Sequence, residues 1–152
     1  LGARVKFHPD KRVEIGYHLI YPTAAGQAFI DRPHLVYQWH SEGFDLPHGA
    51  THLAKSEHFE FQAFKYKNAF AIQFHPEVTG KIMRRWTTKA AHRLFEPGAQ
   101  KIEDQMRLRL RSERKIRTWV KKFIPSWVTP HGNDELSDFE PAHRPSQLEA
   151  AN

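Results

Sequence analysis

The chain has 152 residues, 39% hydrophobic and 12% aromatic, enough to enclose one modest core and to form a single domain with a tail. No stretch approaches the roughly 20 consecutive apolar residues of a membrane span, and the start lacks a basic-then-apolar secretory pattern, so a cytoplasmic protein without membrane contact is expected. Cysteine is absent from all 152 positions, which excludes disulfides and thiolate metal sites within them. The net charge of +6 is unevenly spread. Residues 1–80 carry eight Lys/Arg against eight Asp/Glu, residues 81–122 fourteen against four, and residues 123–152 one against five.

In chain order, Val13, Ile15, Tyr17 and Leu19 alternate with Arg12, Glu14 and His18, the pattern of a half-buried strand over 12–20. Pro22, Gly26 and Pro33 punctuate a connection. Leu35 to Trp39 reads as a short buried strand that runs into a polar loop from His40 to Gly49, broken by Gly43, Pro47 and Gly49. Residues 57–65 place Phe59, Phe61 and Ala63 at period two. With a turn at Tyr66-Lys67-Asn68 and the apolar run from Ala69 to Phe74, they predict a hairpin.

After Glu77 the period changes. Ile82, Trp86, Ala90 and Leu94 recur every four residues, predicting an amphipathic helix over about 79–95 with Thr79 as cap and Pro97-Gly98 as stop. A second helix is predicted over about 101–124, basic in its first half, with Ile116, Trp119, Val120, Phe123 and Trp127 on a stripe that should dock on the body. Its basic character suits a solvated helical face better than a nucleic-acid site, and nucleic acid is not expected as a partner. Trp39, Trp86, Trp119 and Trp127 are read as core and docking surface, not as a stacking platform. Residues 129–152 hold too little apolar surface to offset their ordering entropy and are expected to form a disordered tail or a surface arm.

The chemistry concentrates at Phe74-His75-Pro76-Glu77. On an extended chain, side chains two apart share a face with Cα atoms roughly 6.5 Å apart, and Pro76 disfavours the helical region for His75. His75 and Glu77 are therefore expected to project together, the carboxylate orienting an imidazole that acts as general base and acid toward a nucleophile supplied elsewhere. His48 and His52 have the i, i+4 spacing of a helical metal pair, but Pro47 and Gly49 oppose a helix and no third ligand is evident, so no metal is expected.

Gln73-Phe74-His75-Pro76-Glu77-Val78-Thr79 resembles the His-Glu signature of class I glutamine amidotransferases. Val36-Tyr37-Gln38-Trp39-His40-Ser41-Glu42-Gly43-Phe44-Asp45-Leu46-Pro47 is similar to the loop flanking that family's glutamine pocket, and Arg12-Val13-Glu14-Ile15-Gly16-Tyr17 to the strand before it. The likeness covers about residues 1–98 and is greatest to the branch that looks like the amidotransferase part of GMP synthetase. It implies an α/β, three-layer flavodoxin-like fold, represented by its C-terminal part with a β-hairpin and C-terminal helices. It also implies a Cys-His-Glu triad that hydrolyses glutamine to glutamate and ammonia without a cofactor.

In that likeness His75 and Glu77 are catalytic, and the loop at His40 and Ser41 holds the substrate. Ser41 and Ser56 stand in the wrong blocks to replace the missing nucleophile. The opening Leu1-Gly2-Ala3-Arg4-Val5 looks like the end of the helix that follows that nucleophile in the family, so the expected organisation is a C-terminal amidotransferase portion at 1–98, a basic helical extension at 99–128 and the tail at 129–152. Glutaminase activity from these residues alone is not expected. Intact relatives pass ammonia to a synthetase or ligase. The alternative is a non-catalytic interaction protein that binds a partner through its basic helix or self-associates into a homo-oligomer through an uncovered sheet edge.

Overall fold

In a computed structural model of the chain, the structure describes residues 1–129. The expected tail, apart from Thr129, lies outside the described residues. Seven strands precede two helices: β1 Val5–Phe7, β2 Glu14–Pro22, β3 His34–His40, β4 Glu42–Phe44, β5 Thr51–Ser56, β6 Ala63–Tyr66, β7 Ala69–Ile72, α1 Gly80–Lys89 and α2 Ile102–Val128, with a 3-10 turn at Ala91–Phe95 between the helices. Five strands form one sheet in the order β3-β2-β5-β6-β7, every pair antiparallel, and β1 pairs with β4 in a separate ribbon.

The alternating segment at 12–20 does form a strand, but its burial departs from alternation. Glu14 is fully buried, whereas Leu19 is 44% exposed. The cause is position: β2 is central, paired along Glu14–Ile20 with β3 and at Ile20–Pro22 with β5. The first half of its other edge is closed by residues 97–100. The Val13 N–H donates to the Pro97 carbonyl at 2.8 Å, the Gln100 N–H donates to that of Ile15 at 2.9 Å, and Ile15 and Ala99 form a parallel bridge. Gly16 makes this approach sterically feasible, since its φ is 113° and a Cβ there would lie 2.5 Å from Gln100 Oε1.

The hairpin is shorter than its sequence pattern. Only Ala63–Tyr66 and Ala69–Ile72 pair, across the two-residue turn Lys67-Asn68 with Lys67 at φ 51°. Residues 57–61 leave the sheet because Ser56 caps a tight local loop: its N–H and hydroxyl bond the Phe59 carbonyl, and its hydroxyl accepts from the Phe59 N–H. Strand β5, unforeseen because Thr51–Ser56 carries little alternation, bridges β2 to β6 with a register shift between His52 and Ala54. The polar loop also holds a strand, β4. At the start, residues 1–4 carry no helix and Val5 opens β1 instead of closing a helix.

Helix α1 begins where expected, with the Ile82 N–H donating to Thr79 Oγ1 at 3.3 Å, but it ends at Ala90, whose φ of −121° and ψ of 42° turn the chain into the 3-10 segment. Helix α2 runs on past its predicted end and holds Pro125 within it. Its aromatic end docks as the stripe predicts: Ile116 and Trp119 join Ile20, Phe29, Val36, Leu53 and Phe74 in the main core, with Val120 and Phe123 packed against it. The Trp119 indole N–H donates to the Phe29 carbonyl at 2.7 Å, satisfying the ring's polar end in an apolar setting. A second cluster joins Tyr17, Tyr37 and Met83, flanked by Leu35, Trp39, Val78, Trp86 and Leu108. Trp127 stays 45% exposed, its N–H bonded to the Asn68 carbonyl at 2.9 Å.

Candidate active site

Strand β7 ends at Ile72, and His75-Pro76-Glu77-Val78 is a turn, not the extended segment the period-two argument requires. The Val78 N–H approaches the His75 carbonyl at 3.4 Å. The two side chains nevertheless meet, with His75 Nδ1 2.8 Å from Glu77 Oε1. Because a carboxylate is acceptor-only, Nδ1 carries the proton and the neutral ring keeps its lone pair on Nε2. Nε2 has no partner among the described residues.

Two further contacts fix this ring. The His75 N–H donates to the Tyr37 carbonyl at 2.8 Å, which ties the turn to β3. The imidazole then packs edge to face on Trp86 of α1, centroids 5.0 Å apart, and Trp86 in turn packs on Trp39 and Tyr37. With its side chain 33% exposed, His75 is held by packing yet open to an incoming group, and Glu77 is 60% exposed.

His40 and Ser41 lie at the β3–β4 junction, and neither bonds to His75 or Glu77. The His40 ring faces inward, its side chain 11% exposed. Nε2 sits 3.2 Å from Glu14 Oε2, and Nδ1 donates to the Glu42 carbonyl at 3.0 Å. The ring is also edge to face with Phe59 at 4.6 Å. His48 and His52 are not a helical pair: His52 lies in β5, with Nε2 bonded to the Ala54 carbonyl. No group of three metal-ligating side chains occurs among the described residues.

Behind His40 lies a buried polar network that sequence periodicity did not reveal. Gln62 Nε2 donates to Glu14 Oε2 at 2.8 Å and to Ser56 Oγ at 3.1 Å, while Gln38 Nε2 donates to Gln62 Oε1 at 2.7 Å. Burial pushes the Glu14 carboxyl up, but hydrogen bonding with His40 and Ser56 and the fields of His18 and His40 outweigh it and leave it below its ordinary value. His18 is depressed, burial outweighing the attraction of Glu14. The available signal was a carboxylate, Glu14, at the start of a strand between the apolar residues Val13 and Ile15.

The family profile described as glutamine amidotransferase class-I matches residues 6–91, and the chain belongs to the class I glutamine amidotransferase family. It is similar to a glutamine amidotransferase from Thermotoga maritima, at 28% identity and a TM-score of 0.71, over 85% of this chain and 56% of that one. A glutamine amido transferase from Methylobacillus flagellatus shares the fold at a TM-score of 0.73 and 21% identity, over 88% of this chain and 59% of the other. The chain thus has the α/β, three-layer flavodoxin-like fold of that family in part, spanning under two thirds of either solved chain. No curated protein sequence matches it significantly. No helix among the described residues is long and apolar enough to cross a membrane.

Proposed function

We propose that this chain supplies the His-Glu half of a glutaminase site whose Cys nucleophile lies on polypeptide outside these 152 residues, and that residues 1–152 do not hydrolyse glutamine unaided. The observation that carries the reading is the 2.8 Å contact between His75 Nδ1 and Glu77 Oε1, which leaves Nε2 as an open base. In the proposed reaction Nε2 takes the thiol proton, and the thiolate attacks the side-chain amide carbon of glutamine. The proton passes to the departing nitrogen, so that ammonia leaves and a γ-glutamyl thioester remains. Water, deprotonated by the same Nε2, then attacks the thioester, releasing glutamate and the thiol. Glu77 keeps the tautomer and stabilises the imidazolium.

The loop at His40 and Ser41 is assigned to holding the amino acid through its backbone, because the His40 ring is turned inward, with Nδ1 bonded to the Glu42 carbonyl and Nε2 facing the buried Glu14. The ammonia is passed to a synthetase or ligase partner. The test is glutamate release. The 152-residue chain should release none, whereas the product extended by the coding sequence upstream of Leu1 should carry a Gly-x-Cys-x-Gly segment, turn over glutamine, and lose that activity on His75→Ala. An upstream frame without such a Cys, or an extended His75→Ala variant with full turnover, would refute the proposal.

A further inference from the structure

Between residues 27–34 and the C-terminal half of α2 lies a cleft of about 570 Å³ that includes none of His75, Glu77, His40 and Ser41. Its aromatic lining, apart from His34, is Phe29, Trp119 and Phe123, and cations flank it: Arg32 on one side, and Arg114, Lys115 and Lys122 on the helix. The single lining carboxylate, Asp31, is taken by Arg32 at 2.8 Å. The side chains of Arg114, Lys115 and Lys122 have no hydrogen-bonding or ionic partner among the described residues.

The aromatic residues restrict what can fit. Trp119 and Phe123 stack on each other with centroids 4.9 Å apart and an interplanar angle of 6°, and Phe29 meets both edge to face. Their mutual packing occupies ring faces and argues against a base-stacking platform, while ring edges carry the positive end of the quadrupole and tolerate a nearby anion. The volume lies within the range of small-molecule pockets, about 300–1,000 Å³.

We propose that this cleft is a binding site for a small organic anion, its phosphate or carboxylate held by Arg114, Lys115 and Lys122 and its apolar body resting on Phe29, Trp119 and Phe123.

The probes are 1-naphthyl phosphate and inorganic phosphate, titrated into the full chain and followed by the NMR signal of the Trp119 indole N–H, assigned through Trp119→Phe. Residues 130–152 bring five carboxylates against Arg144, so any competition from them is contained in the measured affinity. The naphthyl ester should saturate with a Kd below about 1 mM, at least tenfold tighter than inorganic phosphate, and should weaken as salt rises. The double reversal Arg114→Glu/Lys122→Glu should lower its affinity at least tenfold. Lys81→Glu/Arg84→Glu on α1, of equal charge change, should leave affinity within twofold. Absence of saturable binding, equal affinity for the two probes, or equal loss from the two double reversals would each overturn the site.

Discussion

Gln73 and Glu42 are joined by a hydrogen bond from the Gln73 side-chain amide to the Glu42 carbonyl, at 2.6 Å. The same oxygen accepts from His40 Nδ1 at 3.0 Å. One backbone carbonyl in β4 therefore connects the strand end leading to His75 with the junction at His40 and Ser41, although those groups do not touch. Gln73→Ala removes one of two donors to this oxygen and should cost about 0.5–1.5 kcal/mol of stability, the net worth of an ordinary hydrogen bond. Urea unfolding at fixed pH measures it, and His40→Ala in the same background should be non-additive because the two share an acceptor.

Glu77→Gln tests charge separately from geometry. The amide oxygen can still accept from Nδ1, so the tautomer survives while the negative charge beside the imidazolium is lost. Because Glu77 is 60% exposed, water screens much of that charge. In the extended, cysteine-bearing product the expected fall in kcat is about ten- to a hundredfold, smaller than for His75→Ala, whose removal forfeits general base catalysis worth about 10²–10⁴-fold. Steady-state glutamate release on the two variants checks the order.

Gly16→Ala should be among the most destabilising single-methyl additions in β2. The backbone there has φ 113°, and the new Cβ would meet Gln100 Oε1 at 2.5 Å and Gln100 Cβ at 2.9 Å. The Gln100 side chain also accepts from the Tyr17 N–H at 2.9 Å, so displacing it breaks the closure of the β2 edge. The loss should exceed about 1 kcal/mol, more than the entropic gain of a Gly→Ala change can offset. Adding Gln100→Ala should recover only a fraction of the loss, since it removes the Oε1 clash but keeps the Cβ contact at 2.9 Å and the backbone strain, as a denaturant double-mutant cycle would show.

Strands β2 and β3 and the docking stripe of α2 were legible because their apolar residues recur at the period of the element, and Trp119 and Ile116 lie where that pattern puts them; that β2 and β3 serve two clusters, Ile20 and Val36 in one and Tyr17 and Tyr37 in the other, was not. Strands β4 and β5 were not, since short segments such as Glu42–Phe44 are created by pairing with β1 and carry no period of their own. His75 and Glu77 were correctly placed together by a wrong route: a turn, not an extended strand, brings them to 2.8 Å. The Glu14 network escaped because burial on both faces of a central strand depends on residues 56–62, far along the chain.

That network sets how stability responds to acid. Glu14 and His18 both have folded-state values below their ordinary 4.5 and 6.5, so in each case the unfolded chain binds the proton more readily. The two contributions have the same sign: stability is fully present above the unfolded value and is lost as pH falls through the folded one. The loss should therefore begin below about pH 6.5 through His18 and steepen below about 4.5 through Glu14. Urea midpoints between pH 8 and 4 measure it. His18→Gln should flatten the upper part of the curve and leave the lower. Glu14→Gln should flatten the lower part while reducing stability at pH 8, because the buried Gln62 amide, which donates to Glu14 Oε2 at 2.8 Å, loses its charged acceptor. A curve for His18→Gln superimposable on that of the parent chain would show that the upper loss arises elsewhere.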